Sequence, residues 1–526
     1  MDTKALRQKV LDLAIRGKLV PQDPNDEPAS VLLERIRQQK QQMVKEGKLK
    51  AKDIKNDTII FVGEDNLHYE KFADGSVKCI EDEIPFDLPD GWAWSKIGPL
   101  CEYITSGSRG WAQYYSETGI LFLRMGNLSR DSFDLRLDNL QRVNLPDNAE
   151  GTRTRVAEND LLFSITAEIG MLGLIPANFE EAYINQHVGL IRFLKDAQTK
   201  FFPYILMSEF CRDQYYTVQC GMKNSFRLDN IQNILAPVPP LGEQIRIAEK
   251  LSNIWTHIQQ IDIESEAASD IISKAKSKIL DLAIRGQLVP QDPDDEPASV
   301  LLERIRAEKE ELIKQGKLKR DKKESVIFRG EDNSYYLRTG ELVESLEDWD
   351  FEELPDSWSV CCLGELCDYG NCTNIDTADI ADSAWILDLE DIEKDSGVVL
   401  QKVRQGERNA GSTKHRFHKG QVLYSKLRPY LNKVVLANED GYCTSEILPL
   451  EFERNILPQY ARYFLMSPAF LRYANKCSYG VKMPRLGTAD GKKAIISVPP
   501  VKEQKRIIMA IELAFAQLAS IAENLA

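Results

Sequence analysis

Long apolar runs are missing. No stretch of about 18 consecutive apolar residues occurs, the length a membrane-spanning helix needs. The first nine residues are polar and charged, without the apolar core of a secretory signal. A cytoplasmic location without a membrane partner is therefore expected. Histidine is scarce, with five in 526 residues, and the ten cysteines form no CxxC pair. The familiar zinc and dithiol spacings are thus excluded, and free thiols in a reducing compartment are expected, the adjacent Cys361 and Cys362 included. There is no GxxxxGK[ST] phosphate loop, no GxGxxG after a strand and no Asn-Pro-Pro-Tyr motif; residues 487–493 have the wrong spacing for the first. His415 and His418 have no carboxylate or thiolate close by in the chain. No metal site, catalytic triad or nucleotide site emerges, so the chain reads as a binding protein and not an enzyme.

The net charge of −14 by itself argues against a nucleic-acid binder. The charge is uneven, however. Between 402 and 433 there are nine Lys/Arg and one Glu, while acid gathers at 81–83, 292–296 and 344–350. An acidic total with a local basic surface is compatible with binding DNA.

An internal repeat is present at an offset of 269. Residues 11–37 read LDLAIRGKLVPQDPNDEPASVLLERIR and residues 280–306 read LDLAIRGQLVPQDPDDEPASVLLERIR; only Lys18/Gln287 and Asn25/Asp294 differ. LPDGWAWSKIGPLCEY at 88–103 matches LPDSWSVCCLGELCDY at 354–369, and VPPLGEQIRI at 238–247 matches VPPVKEQKRI at 498–507. Between these motifs, 101–236 and 367–497 have diverged, leaving faint echoes such as YILMSEF against YFLMSPAF. A scaffold is kept twice while two modules of similar length differ. The chain divides accordingly into an N-terminal helical region 1–50, an acidic linker 51–87, a first variable domain 88–240, a central helical region 241–320, an acidic linker 321–353, a second variable domain 354–500 and a C-terminal helix 501–526.

From 243 to 285 there is no Pro or Gly, and Ile247, Leu251, Ile254, Ile258, Ile261, Ser265, Ala268, Ile272, Ala275, Ile279 and Leu282 fall on a 3/4 spacing. That predicts a coiled-coil seam of about five heptads, roughly 60 Å long if continuous. Gly286 and Pro290 end it. The C-terminus repeats the first part of the seam (Ile507, Ile511, Ala514, Leu518, Ile521, Leu525) and the N-terminus the second (Leu6, Val10, Leu13). The two terminal helices together rebuild the central one, cut in its middle. The simplest geometry is a closed, antiparallel coiled coil with two α/β domains at opposite ends, related by a pseudo-two-fold axis. A further helix in each repeat, from 28–29 to about 46 and from 297–298 to about 314, is charged on most faces. It reads equally as a docking face for a partner or as a solvated surface.

The variable domains read as mixed α/β, with strands at 120–125, 161–165, 188–193, 385–389, 422–425 and 434–437 and one amphipathic helix each, at 202–211 and 460–473. Base and phosphate contacts are expected from Arg, Lys, Asn and aromatic side chains on loops between the strands. The candidates are Arg109, Trp111, Arg124, Asn127, Lys223, Asn224 and Arg227 in the first domain, and Lys414, Arg416, Lys426, Arg428, Lys482 and Arg485 in the second. GMKNSFR from 221 and GVKMPR from 480 occupy equivalent late positions, where a glycine turn presents a Lys and an Arg.

Taken together, the two LPxxW starts, the two VPPxxEQxRI ends and the repeated LDLAIRGxLVPQD elements resemble the specificity subunits of Type I restriction-modification systems over essentially the whole chain. The GxLVPQDPxDEPASxLLxRI element resembles the subgroup with an extended N-terminal conserved region. The resemblance implies two target recognition domains, each reading half of a bipartite duplex DNA site, with the helices as a ruler for the gap. It implies two modification subunits carrying S-adenosylmethionine and two motor-nuclease subunits using ATP and Mg, with no cofactor on this chain. LRMGN at 123–127 is near a pattern of such domains; LDLED at 387–391 departs from it, and its acids would repel phosphate, so no DNA role is carried onto them. The alternative reading is a pseudo-symmetric coiled-coil adaptor that binds proteins and not DNA.

Overall fold

A computed structural model describes residues 2–107, 109–146, 152–217, 226–317, 325–330, 332, 334–346, 354–408 and 412–525. The chain forms two compact units, Met1–Glu264 and Ser265–Ala526. The expected uninterrupted helix is present as Leu241–Ile284, and the division falls within it.

In the first unit the helix Thr3–Ile15 packs antiparallel to the first half of the long helix: Arg7 and Thr3 reach Asp262 at 2.5 and 2.6 Å, while Leu11 shares a core with Ile247 and Leu251. In the second unit Val501–Leu525 does the same with the second half, burying Ile507 and Ile511 alongside Leu280 and Ile284 and setting Lys276 over the Phe515 ring at 5.7 Å. The N-terminal helix departs from a simple seam. Seam position Val10 is buried and Leu6 and Leu13 are half-buried, while Leu11, Ala14 and Ile15 are fully buried in a core that also holds the aromatic Phe201 and Phe202 of the neighbouring module. Val501–Leu525 is also the one described helix long and apolar enough to cross a membrane by length and composition. Its first turns carry Glu503 and Arg506, tied to Gln291 and Asp295 of the same unit.

The repeated motifs meet at one junction per unit. The strand Ala93–Lys96, just after LPDGW, pairs antiparallel with Leu235–Val238, just before the long helix, so each module is tied off where it begins and ends; Ser359–Cys362 and Ile495–Val498 repeat this. Trp92 Nε1 donates to Glu243 at 2.9 Å, and Arg246 pairs with Asp26 of the DEPAS loop at 2.7 Å. Arg506 and Asp295 repeat the second contact at 2.7 Å. Gly17 (φ +64) ends the N-terminal helix where an added Cβ would sit 2.5 Å from Pro89, and Gly286 (φ +70) stands likewise against Pro355. The near-identical stretches are thus the parts that must fit one another.

Burial pushes the Glu243 and Glu503 carboxyls above the ordinary glutamate value of 4.5. A carboxyl held above its unfolded value favours the fold most below the unfolded pKa and loses that contribution as pH rises through the folded one. Glu243→Gln keeps an oxygen for the Trp92 N–H and removes the charge. Chemical denaturation at a series of pH values is expected to show a flatter decline above about pH 4.5 in the variant than in the wild type; identical slopes would contradict this.

The segments 51–87 and 321–353, expected as linkers, each carry a three-stranded antiparallel sheet: Ile59–Val62, His68–Lys71 and Val77–Cys79, and Ser325–Arg329, Tyr335–Thr339 and Leu342–Ser345. The sheets share a stacked pair, Phe61 on Tyr69 and Phe328 on Tyr336, each tyrosine hydroxyl donating to an aspartate, Asp65 or Asp332. The repeated GEDN between the two rings of each pair is their sequence signature, hidden by the surrounding acid.

The modules are mixed α/β. Sheet order in the first is Leu172–Leu174, Leu161–Ser164, Val188–Phe193, Cys101–Ser106, beside a second sheet in which Ala182–Ile184 runs parallel to Ile120–Leu123. In the second, Val422–Ser425 lies between Val434–Leu436 and Ile447–Leu450, and Gly441–Thr444 runs parallel to Trp385–Leu387. The single helix expected in each is two, Phe201–Leu206 with Glu209–Thr217 and Pro458–Leu465 with Pro468–Lys476. The serine of the shared LMS sequence breaks them. Ser208 and Ser467 turn their hydroxyls to accept from the N–H of Cys211 and Phe470 and so start the next helix.

Candidate nucleic-acid interface

Three candidates are structural. Trp111 is 4% exposed and packs against Phe122 and Tyr183 at 5.5 and 5.3 Å, so it cannot stack on a base. Asn127 is 2% exposed; its Oδ1 accepts from Arg124 N–H, and its Nδ2 donates to the Arg136 and Asn139 carbonyls. Lys414, 4% exposed, donates to Asp388 at 2.8 Å inside its sheet. In each case an aromatic, amide or cation beside a strand fills the module's own core, and a charge or ring count does not distinguish that from a contact surface.

Asn127 and Asp391 hold the same place, each capping a short turn after a strand. Burial pushes the Asp391 carboxyl up. The Arg408 guanidinium, the Asp388 N–H and Gln401 outweigh that and hold it below the usual aspartate value. The acids of LDLED therefore mostly face inward: Asp388 and Asp391 are matched by Lys414 and Arg408.

Five of the nine cations of the basic run have partners within the module. Lys402 and Arg404 pair with Glu439, Arg408 and Lys414 with the acids above, and Lys433 donates to the Leu389 carbonyl at 2.6 Å. Arg416, Lys419, Lys426 and Arg428 form no ion pair among the described residues. Arg485 pairs with Glu446 at 2.9 Å. Lys482 is exposed. In the first module Arg109 and Arg227 are exposed and Arg124 is half-buried, its guanidinium 3.5 Å from the Asn139 side-chain oxygen. Lys223 and Asn224 lie outside the described residues.

What the fold brings together in the second module is the loop 426–432 and the loop 479–486. Leu427 bridges to Arg485, Arg428 N–H donates to the Pro484 carbonyl at 2.7 Å and Leu486 N–H to the Lys426 carbonyl at 3.0 Å. Lys426, Arg428, Lys482 and Arg485, from two separate stretches of sequence, therefore share one surface. Between them stand Tyr430, Tyr479 (62% exposed), Val481 (102%) and Met483, large apolar side chains that a folded chain rarely leaves in water together. These four were not among the candidates. Apolar residues beside a glycine turn, with no helical or strand period to bury them, are the signal that marks them. Cations interleaved with exposed aromatic and aliphatic groups suit phosphate, base-edge and thymine-methyl contacts. Among the described residues no cluster of His, Cys, Asp and Glu could hold a metal ion.

Comparison with known proteins gives a consistent picture. Residues 89–268 and 355–520 match the family described as the Type I restriction modification DNA specificity domain. The specificity subunits of the Type I restriction enzymes EcoEI and EcoAI, both from Escherichia coli, are each 29% identical over 424 residues. Those alignments cover 69% and 70% of this chain and 61% and 63% of the relatives, so the chain spans less than two thirds of their length. A chain in a solved structure concerned with complex assembly and conformational transition of the type I R-M system superposes with a TM-score of 0.51 at 15% identity, over 84% of this chain and 94% of that one.

Proposed function

This chain belongs to the Type I restriction modification DNA specificity domain family, with two matching segments, and from that membership we propose that it is the DNA-reading subunit of a restriction-modification complex. Each module, 88–240 and 354–500, reads one half of a bipartite duplex site, and the long helices set the gap and dock the methyltransferase subunits. Two modification subunits carry S-adenosylmethionine. Two motor-nuclease subunits use ATP and Mg, and this cytoplasmic chain directs their chemistry without performing any. The observation that carries the reading is the surface where loops 426–432 and 479–486 cross, with cations and exposed apolar side chains side by side. Against the acidic total stands the local charge: Arg416, Lys419, Lys426 and Arg428 form no ion pair among the described residues.

The reading predicts that cells expressing this chain with its modification partner carry adenine methylation at one bipartite sequence, and that this is lost without the chain. Methylome sequencing reads the result. A stable complex with no bipartite methylated sequence would favour the adaptor reading instead. Affinity for duplex DNA is expected to fall steeply with added salt, since phosphate contacts release counterions.

A further inference from the structure

The same loop crossing is built in both modules. Ile165 N–H donates to the His187 carbonyl and accepts at its own carbonyl from Phe226 N–H; Lys426 N–H donates to the Glu446 carbonyl and accepts from Leu486 N–H, all at 2.9–3.0 Å. The serine before each crossing residue turns its hydroxyl onto a carbonyl within the loop, Ser164 to Glu168 and Ser425 to Leu427. Two residues beyond the crossing, each module places a non-glycine residue in the left-handed region: Ala167 at φ 57° and Arg428 at φ 50°. That conformation costs an L-residue free energy and persists only where the surroundings fix it. Here they do: Arg428 N–H is held by Pro484 O at 2.7 Å and its carbonyl by Leu431 N–H at 2.9 Å.

An alanine suffices for this backbone in the first module, so the arginine in the second is not there to make the turn. It makes no ion pair among the described residues, whereas neighbouring Arg485 is neutralised by Glu446. Its Nε is shielded from solvent and meets no acceptor among the described residues. It is flanked by the exposed Tyr430, Tyr479, Val481 and Met483. Exposed lysines such as Lys482 serve phosphates as point charges. A guanidinium on a backbone pinned between two loops is suited to directional, two-pronged recognition.

Resting on the DNA-reading proposal above, we propose that the residue two positions past the loop crossing is a shared base-reading position. In the second module Arg428 takes a guanine through its N7 and O6; in the first, Ala167 leaves that position without a polar reader. The duplex partner of Arg428 is thus a G·C pair in the half-site of the second module.

The test uses the full chain in complex with its methyltransferase partner. Bound duplexes are selected from a pool randomised across both half-sites and sequenced, for wild type, Arg428→Gln, Arg428→Lys and Ala167→Arg. Arg428→Gln is expected to relax preference for one guanine on the order of ten- to a hundredfold, or to move it to adenine. All other positions, and the whole half-site read by the first module, stay unchanged and report that the variant is folded. Arg428→Lys is expected to weaken the same position only. Ala167→Arg is expected to change one position in the opposite half-site. If either Arg428 variant selects the wild-type sequence, with uniformly weaker or unaltered binding, Arg428 is at most a phosphate contact and the inference is overturned. If the wild type itself selects no bipartite sequence, the DNA-reading proposal fails, a result distinct from the first.

Discussion

Replacing Trp92 with alanine is expected to destabilise the first unit by about 3–5 kcal/mol, the range for emptying a large aromatic site in a core. Trp92 is buried in the cluster that joins the N-terminal helix, the module and the long helix, with its ring edge-on to Phe201 at 6.3 Å. Its indole N–H is the donor that Glu243 accepts, and Gly17 approaches so closely that an added Cβ would meet the ring at 3.2 Å. The alanine variant leaves a cavity and deprives a buried carboxylate of its donor, which adds roughly 1–3 kcal/mol where the site cannot relax. Trp92→Phe keeps most of the volume and loses the hydrogen bond, so it is expected to fall between. Denaturant midpoints for wild type and both variants, with unfolding followed by circular dichroism, read the effect. A loss below 1 kcal/mol for the alanine variant would show that the LPxxW motif is not the structural junction described above.

The repeat was legible in the sequence because near-identity over 27 positions leaves no other reading, and the long helix because heptad spacing persisted without Pro or Gly across its length. Strand positions followed from short apolar runs, to within two residues at their ends, as at Ile120–Leu123 and Trp385–Leu387. The two small sheets were not legible. Each opens on a short apolar run, IIFV and SVIFR, but the acids around those runs read as linker, and few residues of the strands are buried. The site was legible only in part, for a physical reason that recurs. A lysine such as Lys414 and an arginine such as Arg408 look like surface charge in sequence, yet they neutralise aspartates some 20 residues away in the chain. Asn127 looks like an amide available to a base, yet it is buried, with both N–H groups and its oxygen engaged by its own loop. What singles out Arg428 is the reverse: a backbone conformation that its module-one counterpart achieves with alanine, and a guanidinium without a counter-charge among the described residues.

The division between a repeated junction and two divergent reading surfaces makes the central claim open to a direct exchange. Residues 354–500 begin and end on the strands Ser359–Cys362 and Ile495–Val498, which pair with each other and close the module on itself. Substituting the corresponding segment of another member of the family, with 1–353 and 501–526 retained, should therefore preserve the junction. The most direct measurement is methylome sequencing of cells that express the hybrid with the modification partner. The account predicts a bipartite methylated sequence in which one half and the gap are those of the original chain and the other half is that of the donor. A hybrid that forms a stable, active complex yet changes both halves, or neither, would contradict the assignment of one half-site to each module.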